Sequence, residues 1–450
     1  MRLEFYMSSE MLHPEFETIA PEPLRKLQDA LWERQWKYLR AHSSFYQRKL
    51  HPLSSAKTIG LDSITLDSLE ELPFTDKDEL RLSQEADYPF GDYIACPEEE
   101  AIRLHRTSGT TGRPLHLANS RADTEWIARI GGRALYASGL RPKDRVVHCL
   151  NYCMWTGGVT DHLALEATGA CVIPFGVGNS ELLLKTIADL KISAISCTPS
   201  YPAFLEKMLA ATGANPRDLN LRIALFGGEA GLDNQEFRDS MEAKWGFGVR
   251  NANYGMSEVL SNFASQCEHT NDLHFHGNDF IFAEILDAKG NRLPIKEGTV
   301  GEIVCTHLRK ECQPLIRYRT RDVITVTGTD TCGCGRTSWR FRVTGRTDDM
   351  FNVRGVNVFP TAVQKAVLSL SDSITGQFRI VLAGPGPYDR IELKVEAGSS
   401  IPQSDWPGLG KCIEEAVKDV TGASAMVTVI APDSLPRTEG KTSLIERKTA

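Results

Sequence analysis

The stretch Arg106 to Pro114 reads RTSGTTGRP. Ser108, Thr110 and Thr111 are interleaved with Gly109 and Gly112, so the run has no side chain able to fill a core. It offers backbone N–H groups, hydroxyl donors and freedom to take positive φ, the parts of an anion-binding nest. Arg106 and Arg113 flank it, and guanidinium groups suit phosphate oxygens. A flexible surface loop draws on the same residue types. The spacing G-x-x-x-x-G-K-[ST] is absent, which excludes a P-loop of that pattern. A second set, Cys267, His269, His274, His276, Cys332 and Cys334, has the chemistry of metal ligands. LHFHG reads as a strand with His274 and His276 on one side, and TCGCGR as a tight turn. Cys267, His274, Cys332 and Cys334 would complete tetrahedral zinc, with His269 or His276 as substitutes; free cysteines in a surface hairpin are the other reading. Lys441, in SLPRTEGKTSL, is a compact cation on a polar turn.

TSGTTGRP resembles the phosphate loop of the AMP-forming adenylating superfamily of acyl- and aryl-CoA synthetases, luciferases and peptide-synthetase adenylation domains. The resemblance puts Ser108, Gly109, Thr110, Thr111 and Gly112 on the nucleotide, with Arg113 where the family typically has lysine. Further motifs follow in order. LRIALF ends in Gly227, Gly228 and Glu229, similar to the adenine-side turn. Tyr254-Gly255-Met256-Ser257-Glu258 resembles YGxTE, which implies Tyr254 beside adenine, Ser257 at phosphate and Glu258 on Mg²⁺. Ala252 stands where the family often has asparagine. YRTRD would place Asp322 on ribose, and GRTDD would place Arg346 on ribose and Asp348 at a hinge. Lys441 matches the superfamily's catalytic lysine, a cation suited to neutralising the α-phosphate and the incoming carboxylate as they meet. NYCMWTGG implies Tyr152 and Trp155, with Asn253, as walls of an acyl pocket; packing in a core or loop is the other role for such aromatics.

The order LPFTDKDEL, then YPFGDYIACPEEEAIRLHRTSGTTG, is similar to the amino-terminal layout of phenylacetate-coenzyme A ligases and their relatives. That resemblance spans essentially the whole chain. It implies an enzyme that activates an aromatic or arylacetic acid with ATP and Mg²⁺ to an acyl-adenylate and passes the acyl group to coenzyme A. A variant would deliver it to a carrier-protein thiol or an amine. A binder without catalysis is the alternative of another class, disfavoured by the presence of Thr111, Glu258, Asp322, Arg346 and Lys441. Relatives are often homodimers, and some carry a cysteine and histidine set resembling a structural zinc site.

The elements that must position these groups follow from periodicity. Leu24, Leu27, Leu31, Trp36 and Leu39 predict an amphipathic helix within residues 22–50, and Thr75 offers an N-cap for a second. From 125 to 230 helices alternate with short buried strands ending in Gly, Pro or Ser, the pattern of a largely parallel sheet with ligands at its carboxyl edge. The expected fold is α/β. Residues 1–345 would form a large domain with mostly parallel sheets and flanking helices, and 346–450 a small mobile α+β domain. A net charge of -7 over 450 residues argues against nucleic acid or an anionic membrane as partner. The amino terminus lacks a long apolar run, so a cytoplasmic location is the expectation. Cysteines such as Cys149, Cys171 and Cys197 lie in apolar segments, as reduced core thiols do, and His148 and Cys153 are expected to be packing groups.

Overall fold

The computed structural model describes residues 11–55, 64–107, 113–229, 231–384, 386–436 and 444–448. Ser108, Gly109, Thr110, Thr111, Gly112 and Lys441 lie outside the described residues. The chain divides into two compact units. One comprises Met1–Asp144, Asn151–Gly176 and Ala252–Arg342, the other Arg145–Leu150, Val177–Asn251 and Val343–Ala450.

In the first unit, residues 22–50 form two helices rather than one, Pro21–His42 and Ser44–Ser55, separated at Ser43. Leu31, Trp32, Trp36 and Leu39 are its buried stripe, with Trp32 and Trp36 stacked at 5.4 Å. The next long helix, Lys77–Ala86, is capped by Asp76 and not by Thr75 as the sequence suggests. The Asp76 N–H donates to Glu79 Oε2 at 2.9 Å, one half of a capping box. Thr75 is instead buried and extended: it exchanges backbone hydrogen bonds with Arg317 and Arg319, adding a rung beside the strand Tyr318–Gly328.

Parallel pairing, expected for most of the sheet, is absent from the long ladders of this unit. Ile281–Leu286, Val300–His307 and Tyr318–Gly328 pair antiparallel, as do Leu260–Ser265 and Leu273–Phe275. No helix is interposed between these strands among the described residues, and a parallel partner is usually reached through a helical crossover. Tyr318–Gly328 alternates strictly between buried and half-buried positions, one face to the core.

Three buried ion pairs brace the unit. Arg133 meets both carboxylate oxygens of Asp279 at 2.7 and 2.9 Å. Arg317 does the same to Glu284 at 3.1 Å, and Arg336 reaches Glu17 at 2.7 Å. A two-stranded ribbon, Arg103–Arg106 with His116–Asn119, bounds the phosphate-loop sequence. Along its outer edge, the Gln84 amide accepts from His116 N–H and donates to His116 C=O, and Gln313 Oε1 accepts from Ala118 N–H.

The second unit holds the parallel strands that the alternating pattern predicts: Arg145–His148, Ala194–Cys197 and Ile223–Gly227 lie side by side in that order. A four-stranded sheet near the carboxyl end runs Ala425–Ile430, Ile391–Ala397, Ile374–Ala383, Ile445–Lys448. The helices Pro360–Leu368 and Trp406–Thr421 contribute Val363, Val367, Ile413 and Val417 to its core. Gly422, at φ +73°, ends the second helix in the left-handed conformation that glycine tolerates. Cys149 and Cys197 are buried as expected, but Cys171 is exposed at the start of a short strand, and Cys153 is exposed rather than packed. His148 is buried with its Nδ1 3.1 Å from the Ser196 hydroxyl. Among the described residues no helix is long and apolar enough to cross a membrane.

Candidate active site

The YGMSE motif is the end of the strand Gly248–Met256 and the turn after it. A Cβ on Gly255 would lie 2.2 Å from the Ser261 carbonyl oxygen, so the hairpin closes only with glycine there. The turn, tied by Val259 N–H to Met256 C=O at 3.2 Å, presents a half-buried Ser257 and a Glu258 that is 7% exposed. Glu258 Oε1 is held by Lys77 Nζ at 2.6 Å. A carboxylate this buried is stable as an anion only beside a cation, and the ammonium supplies one. The same oxygen chemistry suits Mg²⁺, so Glu258 fits the role that the motif implies.

Lys77 escaped the sequence reading, although a signal was present. It is the first residue of its helix, where the positive end of the helix dipole disfavours a cation. Arg321, at φ +67°, reaches Asp76 Oδ1 at 2.5 Å, the cap of that helix. TDKDEL and YRTRD therefore meet in one constellation.

Tyr254 and Asp322 meet directly. The Tyr254 hydroxyl donates to Asp322 Oδ2 at 2.8 Å, and its ring packs edge-on against Phe263 and Phe341 at 5.2 and 5.3 Å. Asp322 is buried, and its N–H donates to Thr320 Oγ1 at 3.0 Å. The Tyr254 hydroxyl thereby orients the carboxylate, which suits the ribose contact that the motif implies.

The acyl-pocket candidates also gather within the first unit. Tyr152 and Trp155 are half-buried ahead of the helix Thr156–Ala167, with Trp155 as its N-cap residue. Arg106 N–H donates to Met154 C=O at 2.9 Å, tying this segment to the ribbon. Gly158 permits the tight approach, since a Cβ there would sit 2.4 Å from Asn151 C=O. The Tyr152 hydroxyl lies 3.0 Å from His162 Nδ1, and Asn253 Nδ2 donates to Asp161 Oδ2 at 2.6 Å. Asp161 and His162 were not singled out from sequence; nothing in a helical stretch marks which polar residue turns inward.

In the second unit, Gly228 takes φ +83° just after the strand Ile223–Gly227, and Glu229 Oε2 accepts from Ser200 N–H at 3.2 Å. Arg346 and Asp348 form a two-pronged pair, Nε to Oδ1 at 3.0 Å and Nη2 to Oδ2 at 2.8 Å. Gly345 lies against the Phe359 ring, which a Cβ would approach at 2.6 Å.

Cys267, His274, Cys332 and Cys334 converge with their ligand atoms all within 4.8 Å of one another. His269 and His276, the sequence alternatives, are not in this group: His276 Nε2 is engaged by the Ser265 hydroxyl at 3.0 Å. A hydrogen bond from Cys267 and the adjacent His274 pull the Cys334 thiol well below its usual range. His274 Nδ1 lies 3.3 Å from the Ser338 hydroxyl, leaving Nε2 toward the sulfurs. Three thiols and one imidazole at such distances fit tetrahedral zinc, and the oriented histidine is the usual support of such a ligand.

Comparison with known proteins agrees with these motifs. A family model described as AMP-binding enzyme matches residues 45–307, and one described as AMP-binding enzyme C-terminal domain matches 355–447. The chain is 34% identical to a phenylacetate-coenzyme A ligase of Thermus thermophilus over 96% of this chain and 97% of that protein. It is 35% identical to a phenylacetate-coenzyme A ligase of Pseudomonas putida, covering 84% of each. A solved 2-hydroxyisobutyryl-CoA ligase, in the postadenylation state with its acyl-AMP, superposes with TM-score 0.90 at 29% identity, over 98% of this chain and 93% of that one. Motifs in order, the hairpin that aims Glu258 and full-length likeness together place the chain in the AMP-binding enzyme family, among the relatives of phenylacetate-coenzyme A ligase.

Proposed function

We propose that this protein is an AMP-forming ligase that activates an aromatic or arylacetic acid and transfers it to coenzyme A. The observation that carries this reading is the full-length likeness to phenylacetate-coenzyme A ligases, at 34% identity over 96% of the chain. The acid's carboxylate attacks the α-phosphate of ATP, giving acyl-adenylate and pyrophosphate; the CoA thiol then displaces AMP from the mixed anhydride. Such a transfer needs positioning and charge neutralisation more than a protein nucleophile. Asp322, oriented by Tyr254, holds ribose; Gly228 lets the adenine approach the backbone; Ser257 and the 108–112 loop take phosphate oxygens. Mg²⁺ held by Glu258 would neutralise charge on the phosphates. Residues 1–345 act as the nucleotide and acyl domain and 346–450 as the mobile one, with Asp348 at the hinge and Lys441 carried to the reacting carboxylate.

The test is acid-dependent release of AMP and pyrophosphate across benzoates, arylacetates, indole acids and short fatty acids, with and without CoA. AMP together with a matching CoA thioester is the expected result. Pyrophosphate release without a thioester would replace CoA by another acceptor, and no release with any acid would sink the ligase reading. Lys441→Ala is expected to slow adenylate formation by about a hundredfold or more while leaving ATP binding nearly unchanged. Unaltered pyrophosphate release in that variant would remove Lys441 from the mechanism.

The four-residue cysteine and histidine cluster supports a structural zinc reading. Metal analysis of purified protein should find close to one zinc per chain, reduced to background in Cys334→Ser. That variant should also melt several degrees lower, because a structural zinc site contributes folding free energy directly. A stable, metal-free preparation would eliminate the idea.

A further inference from the structure

The helix Thr156–Ala167 carries a carboxyl group that the adenylation steps leave unused. Asp161 is 4% exposed, Oδ2 accepts from Asn253, and Oδ1 has no hydrogen-bond partner among the described residues. Among the described residues no cation acts on it. Burial pushes the carboxyl well above its usual range, hydrogen bonding from Ser261, Asn253 and Thr160 opposes that, and one more donor at Oδ1 would favour the charged, accepting form. A buried oxygen left without a donor carries a desolvation cost, which a donor on a bound acid would offset.

Its placement says what that is. Side chains alternate along the strand Gly248–Met256, so Tyr254 and Asn253 face opposite sides. Tyr254 turns toward Asp322, the candidate ribose residue, and Asn253 turns toward the helix Thr156–Ala167. The next residue on that helix, His162, lies between the Tyr152 hydroxyl at 3.0 Å and Glu166 Oε1 at 3.1 Å. The aromatic candidates of the acyl pocket therefore share their surroundings with two polar pairs, Asp161 with Asn253 and His162 with Tyr152.

We propose that Asp161 is a specificity-determining residue of the acyl pocket, its unpaired oxygen taking a hydrogen bond from an N–H or O–H at the far end of the acid. The preferred substrates are then hydroxyaryl, aminoaryl or N–H heteroaryl acids rather than acids ending in a plain hydrocarbon ring. This rests on the ligase reading above and names the substrate class of the same site. The direction follows from asymmetry: a site built to bond an O–H or N–H rejects the analogue lacking it far more strongly than an apolar pocket rejects an added group.

Matched acids test it: phenylacetate against 3- and 4-hydroxyphenylacetate, benzoate against its amino derivatives, and naphthylacetate against indole-3-acetate. The readout is kcat/KM for acid-dependent pyrophosphate release. Wild-type enzyme should favour the donor-bearing member of at least one pair by about tenfold or more. In Asp161→Ala that ratio should fall toward one, because the donor-bearing acid loses its partner and so loses more kcat/KM than the plain acid does. A merely structural role would lower both members together. Asp161→Asn, close in shape, provides the same comparison if the alanine variant does not fold, and its ratio should also fall. No preference in any pair with wild-type enzyme, or a preference preserved in the variants, overturns the assignment while leaving the ligase intact. No pyrophosphate release with any acid overturns both.

Discussion

Glu258→Ala is expected to lower acid-dependent pyrophosphate release by about a hundred- to a thousandfold, the cost of losing one group that stabilises transition-state charge. The change should not be rescued at saturating ATP, because the lost interaction belongs to the reacting phosphates and their Mg²⁺. The structure adds a second expectation. Glu258 is held by Lys77 at 2.6 Å, so in the proposed role the carboxylate would exchange that cation for Mg²⁺. Lys77→Ala removes the competing ammonium. It should therefore change the Mg²⁺ concentration needed for half-maximal rate, whereas a lysine serving only as a surface charge would leave that curve in place. Titrating Mg²⁺ at fixed ATP in both variants decides the matter. A Glu258→Ala enzyme within a few-fold of wild type would remove the assigned role.

Glu284→Ala is expected to be the most destabilising single change among the ion pairs described. Glu284 is fully buried, and its only charge partner among the described residues, Arg317, is 4% exposed. Arg317 also donates to the carbonyls of Glu70 and Leu72 and lies over the Phe74 ring at 4.1 Å. Deleting the carboxylate leaves a guanidinium in the core with hydrogen bonds to neutral groups alone, at a cost of about 3–5 kcal/mol. A fall in thermal midpoint of roughly 10 °C should follow. The double change Glu284→Leu with Arg317→Met should cost less than either single change, since neither charge is then stranded. A shift of less than roughly 2 °C in Glu284→Ala would show that water or another group replaces the carboxylate. The effect should reach the site as well, because the 70–74 segment that Arg317 grips leads directly into Asp76 and Lys77.

The motifs were legible in sequence because their chemistry is local. Glycine and hydroxyl residues cannot build a core, and a Tyr-Gly-x-Ser-Glu turn carries its carboxylate wherever the hairpin goes. The cluster of Cys267, His274, Cys332 and Cys334 was legible in the same way, since few side chains offer a thiolate or an imidazole. What stayed hidden depends on partners far along the chain. Lys77 acquires meaning only beside Glu258, and Asp161 only beside Asn253. The Thr75 cap failed for a related reason: a threonine before an acidic turn is a good cap in isolation, but here the chain at Thr75 is drawn out alongside Tyr318 and the neighbouring aspartate takes over. Parallel pairing was readable between 145 and 227, where helices separate the strands, and not beyond 260, where strand follows strand without a helix and the ladders run antiparallel.

The glutamines along the ribbon have a consequence for how the chain is made. An uncovered strand edge is a template for pairing with other chains, and here two side-chain amides close it in place of a neighbouring strand. Gln84 precedes the ribbon in sequence, so its part of the edge can close at once. Gln313 lies 195 residues after Ala118, and until that much more chain has been synthesised the other position has no partner. Protection of this edge against self-association is thus completed late in synthesis, by a residue remote from the element it shields.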